Sequence, residues 1–246
     1  MTDTRFRLFE DLASRYDLHT PHHHYEDDHS FVLDSFRSSG HQRILDIGCG
    51  TGVFLRKALD EGFDAAGIDA AQGMVNEAMT KAGSDRAKLQ AMEDLDADSL
   101  YDGICALSWV INYATDVESA RDILVRCRNA LKPGGKLLLQ TAHAPNMDGL
   151  VLEDRETGPS DISEDIVFLF QFHATGVASA NARYVYAAKS IGELVWEEHP
   201  LNVANAELLA GLCSEAGFHD ISIYGSYQRE PLGNSISPWI EASVPA

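Results

Sequence analysis

Apolar and polar positions along this chain fall into blocks of two periods. From Arg43 the run RILDI is apolar up to a late acid, GCGTG follows at once, and VFLRKALDEG then spaces apolar residues three and four apart before Gly62. A short unbroken apolar run bounded by turn residues reads as a strand, and the wider spacing as a helix with a glycine near its C-terminal end. FDAAGID is a second buried strand ending in Asp69, AAQGMVNEAMTKAG a helix, and AKLQAM and YDGICAL further strands. A helix over about 116–131 puts Val117, Ala120, Ile123, Leu124, Cys127 and Leu131 on one face; KPGG breaks it and KLLLQTA is again a strand. Strands alternating with helices predict a parallel sheet covered on both faces.

The flanks read differently. Upstream, RFRLFEDLASRY puts Phe6, Phe9, Ala13 and Tyr16 on one helix face, and SFVLDSF gathers Phe31, Val32, Ser35 and Phe36 on another. Downstream, APNMDGLVLEDRETGPSD is loop-rich, and DIVFLFQFHA, ARYVYAAKS and GELVWEEHPL are strand-like. The first alternates Phe168, Phe170 and Phe172 against Val167, Leu169, Gln171 and His173, the period of a strand with two unlike faces. A helix, NAELLAGLCSEAGF, turns Leu208, Leu209, Leu212 and Cys213 inward, and HDISIYGSY and SPWIEASV make a closing antiparallel pair.

Composition narrows the class. No apolar run approaches the length of a membrane span, and MTDTRFRLFEDLASRYD lacks the apolar stretch of a signal peptide, so the expected compartment is the cytoplasm. Cys49, Cys105, Cys127 and Cys213 are scattered without a CxxC pair, against both a structural zinc site and a disulfide framework. A net charge of −19 repels phosphate backbones and disfavours nucleic acid as a partner, while a cationic or neutral small molecule is easily accommodated.

Chemistry concentrates where RILDI meets GCGTG. In open parallel sheets ligands bind at the carboxyl ends of the strands, beside the first strand. Gly48, Gly50 and Gly52 permit a tight turn and close backbone approach, and Asp69 closes the next strand, where an acid accepts ribose hydroxyls. Glycine loop and acid together imply a ribose-bearing cofactor. The loop is not GxGxxG, and Asp46 immediately before it suits a cationic ammonium better than a pyrophosphate.

LDIGCGTG, then GID, then LKPGG before a strand, from about Ile44 to Thr141, resembles the class I S-adenosylmethionine-dependent methyltransferases. The resemblance implies an α/β fold: a doubly wound Rossmann-like sheet with a closing antiparallel hairpin, an N-terminal helical lid and inserted antiparallel strands. It divides a single domain, 1–246, into lid (1–40), cofactor-binding core (41–142), substrate-side insertion (143–202) and final helix with strand pair (203–246). It implies S-adenosyl-L-methionine as cofactor, with Asp46, Gly48, Cys49 and Gly50 along its methionine and ribose, Asp69 at the ribose hydroxyls, Ala70 and Met74 near the adenine, and Met92, Glu93 and Leu107 completing the set. Many relatives have an acid at the position of Ala91 for the adenine amino group; its absence here leaves that contact to Glu93, Asp94 or a backbone group.

The inserted strands are patterned like those of small-molecule N-methyltransferases, which makes an amine nitrogen the expected acceptor. O- or C-methylation of a small molecule, and a cofactor-binding protein that does not methylate, are the alternatives; the chain is expected to be a monomer or a homodimer. Methyl transfer is an in-line displacement, so positioning dominates, and an amine needs only to lose a proton. His143, after the last parallel strand, is the candidate base. Tyr16, with Asp17, begins the lid that such enzymes close over their pocket. Trp109, Asn112, Tyr113 and His173 are candidate substrate contacts; some aminosugar N-methyltransferases carry a histidine in the region of Asn112 and Tyr113. Within HTPHHHYEDDHS, Pro21 separates His19 from His23, and three consecutive histidines diverge, so no metal is expected. The run reads as the rim of the lid, with His24 its candidate catalytic residue.

Overall fold

Strand β1, Arg43–Ile47, is paired on both edges inside the main sheet. Asp64–Asp69 (β2) runs parallel on one side and Tyr101–Ala106 (β4) on the other; Ala87–Leu89 (β3) extends the sheet beyond β2, and Leu131–Gln140 (β5) beyond β4. Trp239–Ser243 (β11) then pairs antiparallel with β5, and His219–Tyr224 (β10) antiparallel with β11. The order β10-β11-β5-β4-β1-β2-β3 is the doubly wound sheet with a closing antiparallel hairpin that the pattern predicts. The computed structural model describes residues 6–20, 25–147, 151–155 (backbone only) and 166–246.

A strand covered on both faces must be apolar on both, and Ile44 and Leu45 show the division. Ile44 packs with Val32, Leu33 and Phe36 of α2 (Glu26–Ser38), Phe54 and Leu55 of α3 (Val53–Asp60) and Val75 and Ala78 of α4 (Gln72–Ala82). Leu45 belongs to the opposite layer, with Ile123 and Leu124 of α5 (Val117–Ala130) and Leu209 and Leu212 of α6 (Ala206–Glu215). Asp116 stands just outside α5 and caps it by accepting the Ser119 N–H at 2.8 Å. β5 begins earlier than KLLLQTA suggests, running through Pro133 and Gly134, and β3 keeps only three residues of AKLQAM.

The insertion is a second sheet, ordered β6-β7-β8-β9 and antiparallel throughout. Ile166–Gly176 (β7), Ser179–Ala188 (β8) and Leu194–Asn202 (β9) are the three predicted strands. Val151–Arg155 (β6) lies in the stretch that reads as loop; it has few apolar residues and pairs on one side only, Val151 opposite Phe172.

The N-terminal segment departs most from expectation. The single helix over RFRLFEDLASRY is instead two 3-10 turns, Arg7–Phe9 and Ala13–Arg15, followed by the short helix α1 (Tyr16–His19). Its side chains serve two surfaces: Leu8 and Leu12 pack with Phe168, Phe170 and Tyr186 of the inserted sheet, whereas Ala13 packs with Ala71 and Met74 of the main domain. A segment buried on both sides cannot keep one apolar stripe, and its first amides are taken by a carboxylate of the inserted sheet: Glu197 accepts the N–H groups of Arg7 (2.6 Å) and Leu8 (3.0 Å).

Candidate active site

The site lies at the carboxyl ends of β1, β2 and β4. Gly48 turns with φ +67°, and a Cβ there would sit 2.4 Å from Val110 Cγ2, so both conformation and space demand glycine. The Gly48 and Cys49 N–H groups donate to the Ile68 carbonyl at 2.8 and 3.0 Å, tying the loop to the end of β2. Asp69 is oriented by two backbone donors, Gly50 N–H to Oδ2 and Ala71 N–H to Oδ1, both 2.9 Å. Each carboxylate oxygen keeps a further lone pair, which leaves Asp69 able to accept hydroxyl donors. Burial raises its pKa against these amides. Asp46 is fully enclosed: burial pushes it up to about 8, the Cys105 thiol 3.7 Å away opposes the rise and the charge of Asp69 adds to it.

A cavity of about 970 Å³ opens over these strand ends. Asp46, Gly48, Cys49, Gly50, Asp69, Ala70, Met74, Met92, Glu93 and Leu107 all line it, so the structure gathers the whole predicted cofactor set on one surface. Glu93 faces the cavity and Asp94 does not. Acids Glu10, Asp17, Asp46, Asp69 and Glu93 are on the wall, and no lysine or arginine is, among the described residues. Such a site favours cations. It fits a cofactor bearing both an ammonium and a sulfonium.

The N-terminal segment closes one side. Thr51 Oγ1 donates to Asp17 Oδ1 at 2.6 Å, Lys81 Nζ lies 2.9 Å from Asp17 Oδ2, and Glu10 accepts the Gly73 N–H at 3.1 Å. Tyr16 lies on the cavity wall, its phenol pKa raised well above the ordinary value by burial. Aromatic side chains line the cavity as well, Phe6 and Phe9 from this segment with Tyr113 and Tyr184, and behind them the buried His199 ring stacks on Phe6 with centroids 3.6 Å apart. Tyr113 Oη is 2.7 Å from His199 Nδ1, and His199 Nε2 is 3.6 Å from Glu197 Oε2.

Of the predicted substrate contacts, Tyr113 alone reaches this wall. Trp109 points away: its indole N–H donates to Ser237 Oγ at 2.9 Å and its ring packs on Phe172. Asn112 is fully buried as a brace, donating to the Asn202 and Val203 carbonyls and accepting the Ala142 N–H at 2.8 Å. His173 sits in β7 opposite Asn181, off the cavity. His143 is buried off the cavity too, its Nδ1 accepting the Ala206 N–H at 3.1 Å where α6 begins, and burial lowers its pKa. The base expected at His143 is therefore a brace for α6. His24 lies outside the described residues. Glu197, His199 and Tyr184 escaped the sequence reading; the available signal was Glu and His two apart in EEHPL, on one face of a strand.

Comparison with known proteins agrees with this geometry. Residues 16–223 match a family model described as a methyltransferase domain. A Geobacillus protein with a provisional methyltransferase name is 30% identical over 147 residues, 57% of this chain and 60% of its own length. A ubiquinone biosynthesis O-methyltransferase of Rickettsia conorii is 31% identical over 102 residues, 40% of this chain and 34% of its own. The chain thus spans less than two thirds of either curated relative. The structure of an amino pentose methyltransferase from Micromonospora echinaspora, with S-adenosylmethionine bound, superposes with a TM-score of 0.71 over 98% of this chain and 99% of that one, at 17% identity.

Two predictions follow from the electrostatics and the braces. Asp46 must ionise to hold an ammonium, so below about pH 8 binding of S-adenosylhomocysteine should release a proton and weaken by up to about tenfold per pH unit. Calorimetry at pH 7 in buffers of unlike ionisation enthalpy reads that proton; Asp46→Asn should abolish it, and its absence in the unaltered protein would refute the assignment. His143→Ala should cost about 1–2 kcal/mol in urea unfolding through the lost brace at α6 and leave S-adenosylhomocysteine affinity unchanged. A large loss of affinity at preserved stability would return His143 to the site.

Proposed function

The chain belongs to the methyltransferase-domain family, and from that premise we propose that it transfers the methyl group of S-adenosylmethionine to an amine nitrogen of a small molecule. The observation that carries this reading is the lining of the cavity: carboxylates on the wall, no lysine or arginine among the described lining residues, and aromatic side chains with them. When bound, the cofactor supplies a methyl group on a positively charged sulfur. Asp46 faces its ammonium, Asp69 its ribose hydroxyls, and Met74, Met92 and Leu107 its apolar parts. The remaining space, walled by Tyr16, Phe6, Phe9, Tyr113 and Tyr184, takes a small acceptor. Aromatic faces hold an ammonium through cation–π attraction of about 0.5–2 kcal/mol, which favours an amine over a neutral hydroxyl.

Little covalent work falls to the protein. Holding nucleophile and methyl in line contributes up to about 7–11 kcal/mol, and the N-terminal segment keeps water out while it does so. The test uses S-adenosylmethionine with a tritiated methyl group and two acceptor pools, one of primary and secondary amines including amino sugars, the other of the matching alcohols and phenols. Transfer to the amine pool is expected. Transfer confined to hydroxyls would replace N- by O-methylation, and an absence of S-adenosylhomocysteine binding by calorimetry would remove the cofactor assignment itself.

A further inference from the structure

Tyr113 borders the cavity, His199 stands behind it, and Glu197 stands behind His199. The three come from two distant parts of the chain: the 3-10 turn Val110–Tyr113 after β4, and alternate positions on one face of β9. The turn begins strained, with φ +48° at Ser108 and +66° at Trp109. It is pinned by Gln140, which accepts the Ser108 N–H at 2.9 Å, and by the Trp109 indole on Ser237. These bonds turn Tyr113 toward the cavity. Its Oη meets His199 Nδ1 at 2.7 Å, and His199 is wholly buried.

Which nitrogen of His199 carries the proton follows from its surroundings. Nε2 faces Glu197 Oε2 at 3.6 Å, so the carboxylate favours the tautomer with the proton on Nε2. Nδ1 is then free to accept from the tyrosine hydroxyl. The groups facing His199 are Tyr113 from the turn, Tyr184 from β8 and Glu197 from β9, with Phe6 and Phe9 from the N-terminal segment. Tyr184, Tyr16, Glu197 and Asp69 all act on Tyr113. The Arg7 guanidinium is committed to Asp11 and Glu193. Burial would raise the Glu197 carboxyl, but the nearby His199 ring and the hydrogen bonds from the Leu8 and Arg7 amides hold it below the ordinary glutamate range, so it stays charged. Burial also raises the Tyr113 phenol well above its ordinary pKa, so the phenol gives up its proton only as it gains another.

We propose that Tyr113 and His199 form the proton-accepting relay for the acceptor amine, with Glu197 as a positioning residue that the N-terminal segment locks in place. This rests on the N-methylation reading. An ammonium acceptor gives one proton to Tyr113 Oη as the Tyr113 proton passes to His199 Nδ1, and the imidazolium that forms lies against the Glu197 carboxylate. The freed nitrogen lone pair attacks the methyl carbon; the N–C bond forms, the C–S bond breaks, and its electron pair stays on sulfur. The imidazolium later returns its proton by the same path to solvent. Arg7 and Leu8 donate to Glu197 only when the N-terminal segment is seated, so the relay is complete only when the cavity is closed.

The experiment measures kcat and KM for methyl transfer from labelled S-adenosylmethionine to the amine pool, for the unaltered chain and for His199→Gln, Tyr113→Phe and Glu197→Gln. S-adenosylhomocysteine calorimetry on each serves as the check of folding. Tyr113→Phe keeps the ring in its place and so tests the relay even if a change at the buried His199 prevents folding. His199→Gln and Tyr113→Phe should lower kcat at neutral pH by roughly 100-fold or more, the share a positioned base supplies, with the KM for S-adenosylmethionine unchanged. Glu197→Gln should lower kcat by about tenfold, again with that KM unchanged. Variants that bind S-adenosylhomocysteine and keep the original kcat would overturn the relay alone. An unaltered chain that binds S-adenosylhomocysteine but methylates no amine would overturn the N-methylation reading and the relay with it.

Discussion

The N-terminal segment reaches the cofactor side of the molecule because position 73 has no side chain. A Cβ on Gly73 would lie 2.2 Å from the Glu10 carbonyl oxygen and 2.7 Å from both the Glu10 Cα and the Phe9 carbonyl, distances that backbone cannot relieve without moving away. With glycine there, Glu10 accepts the Gly73 N–H and Asp17 bridges Thr51 and Lys81, while at the other end Glu197 takes the Arg7 and Leu8 amides. Hydrogen bonds to charged groups contribute roughly 1.5–3 kcal/mol each, so the segment joins the inserted sheet to the main domain. The cavity has walls because of that joint: Phe6, Phe9, Glu10, Tyr16 and Asp17 line it from the segment.

The second organising fact is charge. Asp46 is buried and Asp69 half-buried at neighbouring strand ends, without a lysine or arginine on the cavity wall among the described residues. Burying a carboxylate is costly unless something positive or hydrogen-bonding meets it. Asp69 is met by amides, but Asp46 is met, among the described residues, by a thiol, and holds its proton to about pH 8. A ligand with an ammonium relieves that cost. The acidity that disfavours nucleic acid from composition thus has a local counterpart in the site.

Much of this was legible beforehand because its causes are local. Continuous apolar runs announce strands buried on both faces, and the turn at Gly48 needs a glycine for reasons visible in DIGCGTG. Asp46 stands just before that loop and Asp69 ends the next strand, and every residue assigned to the cofactor lines one cavity. Residues beyond the strand ends were not legible, because tertiary packing decides where they point. His143 and Asn112 follow the ends of β5 and β4, yet the start of α6 and the end of β9 claim them as braces. Glu197 and His199 lie more than 80 residues from Tyr113 (the separation is 86 for His199), and no spacing rule joins them. The N-terminal segment hid its structure because two apolar surfaces share one short stretch, so its residues mimic a single helical stripe.

The most direct measurement is amide hydrogen exchange of residues 6–20, together with S-adenosylhomocysteine affinity, in Gly73→Ala. The added methyl group should push the segment off: the Arg7, Leu8 and Leu12 amides lose protection and affinity falls about tenfold, or 1.4 kcal/mol, while the amides of β1, β4 and β5 keep their protection. Unchanged protection at Arg7 and Leu8 with unchanged affinity would contradict the claim that this segment, seated on Gly73, is what builds the site.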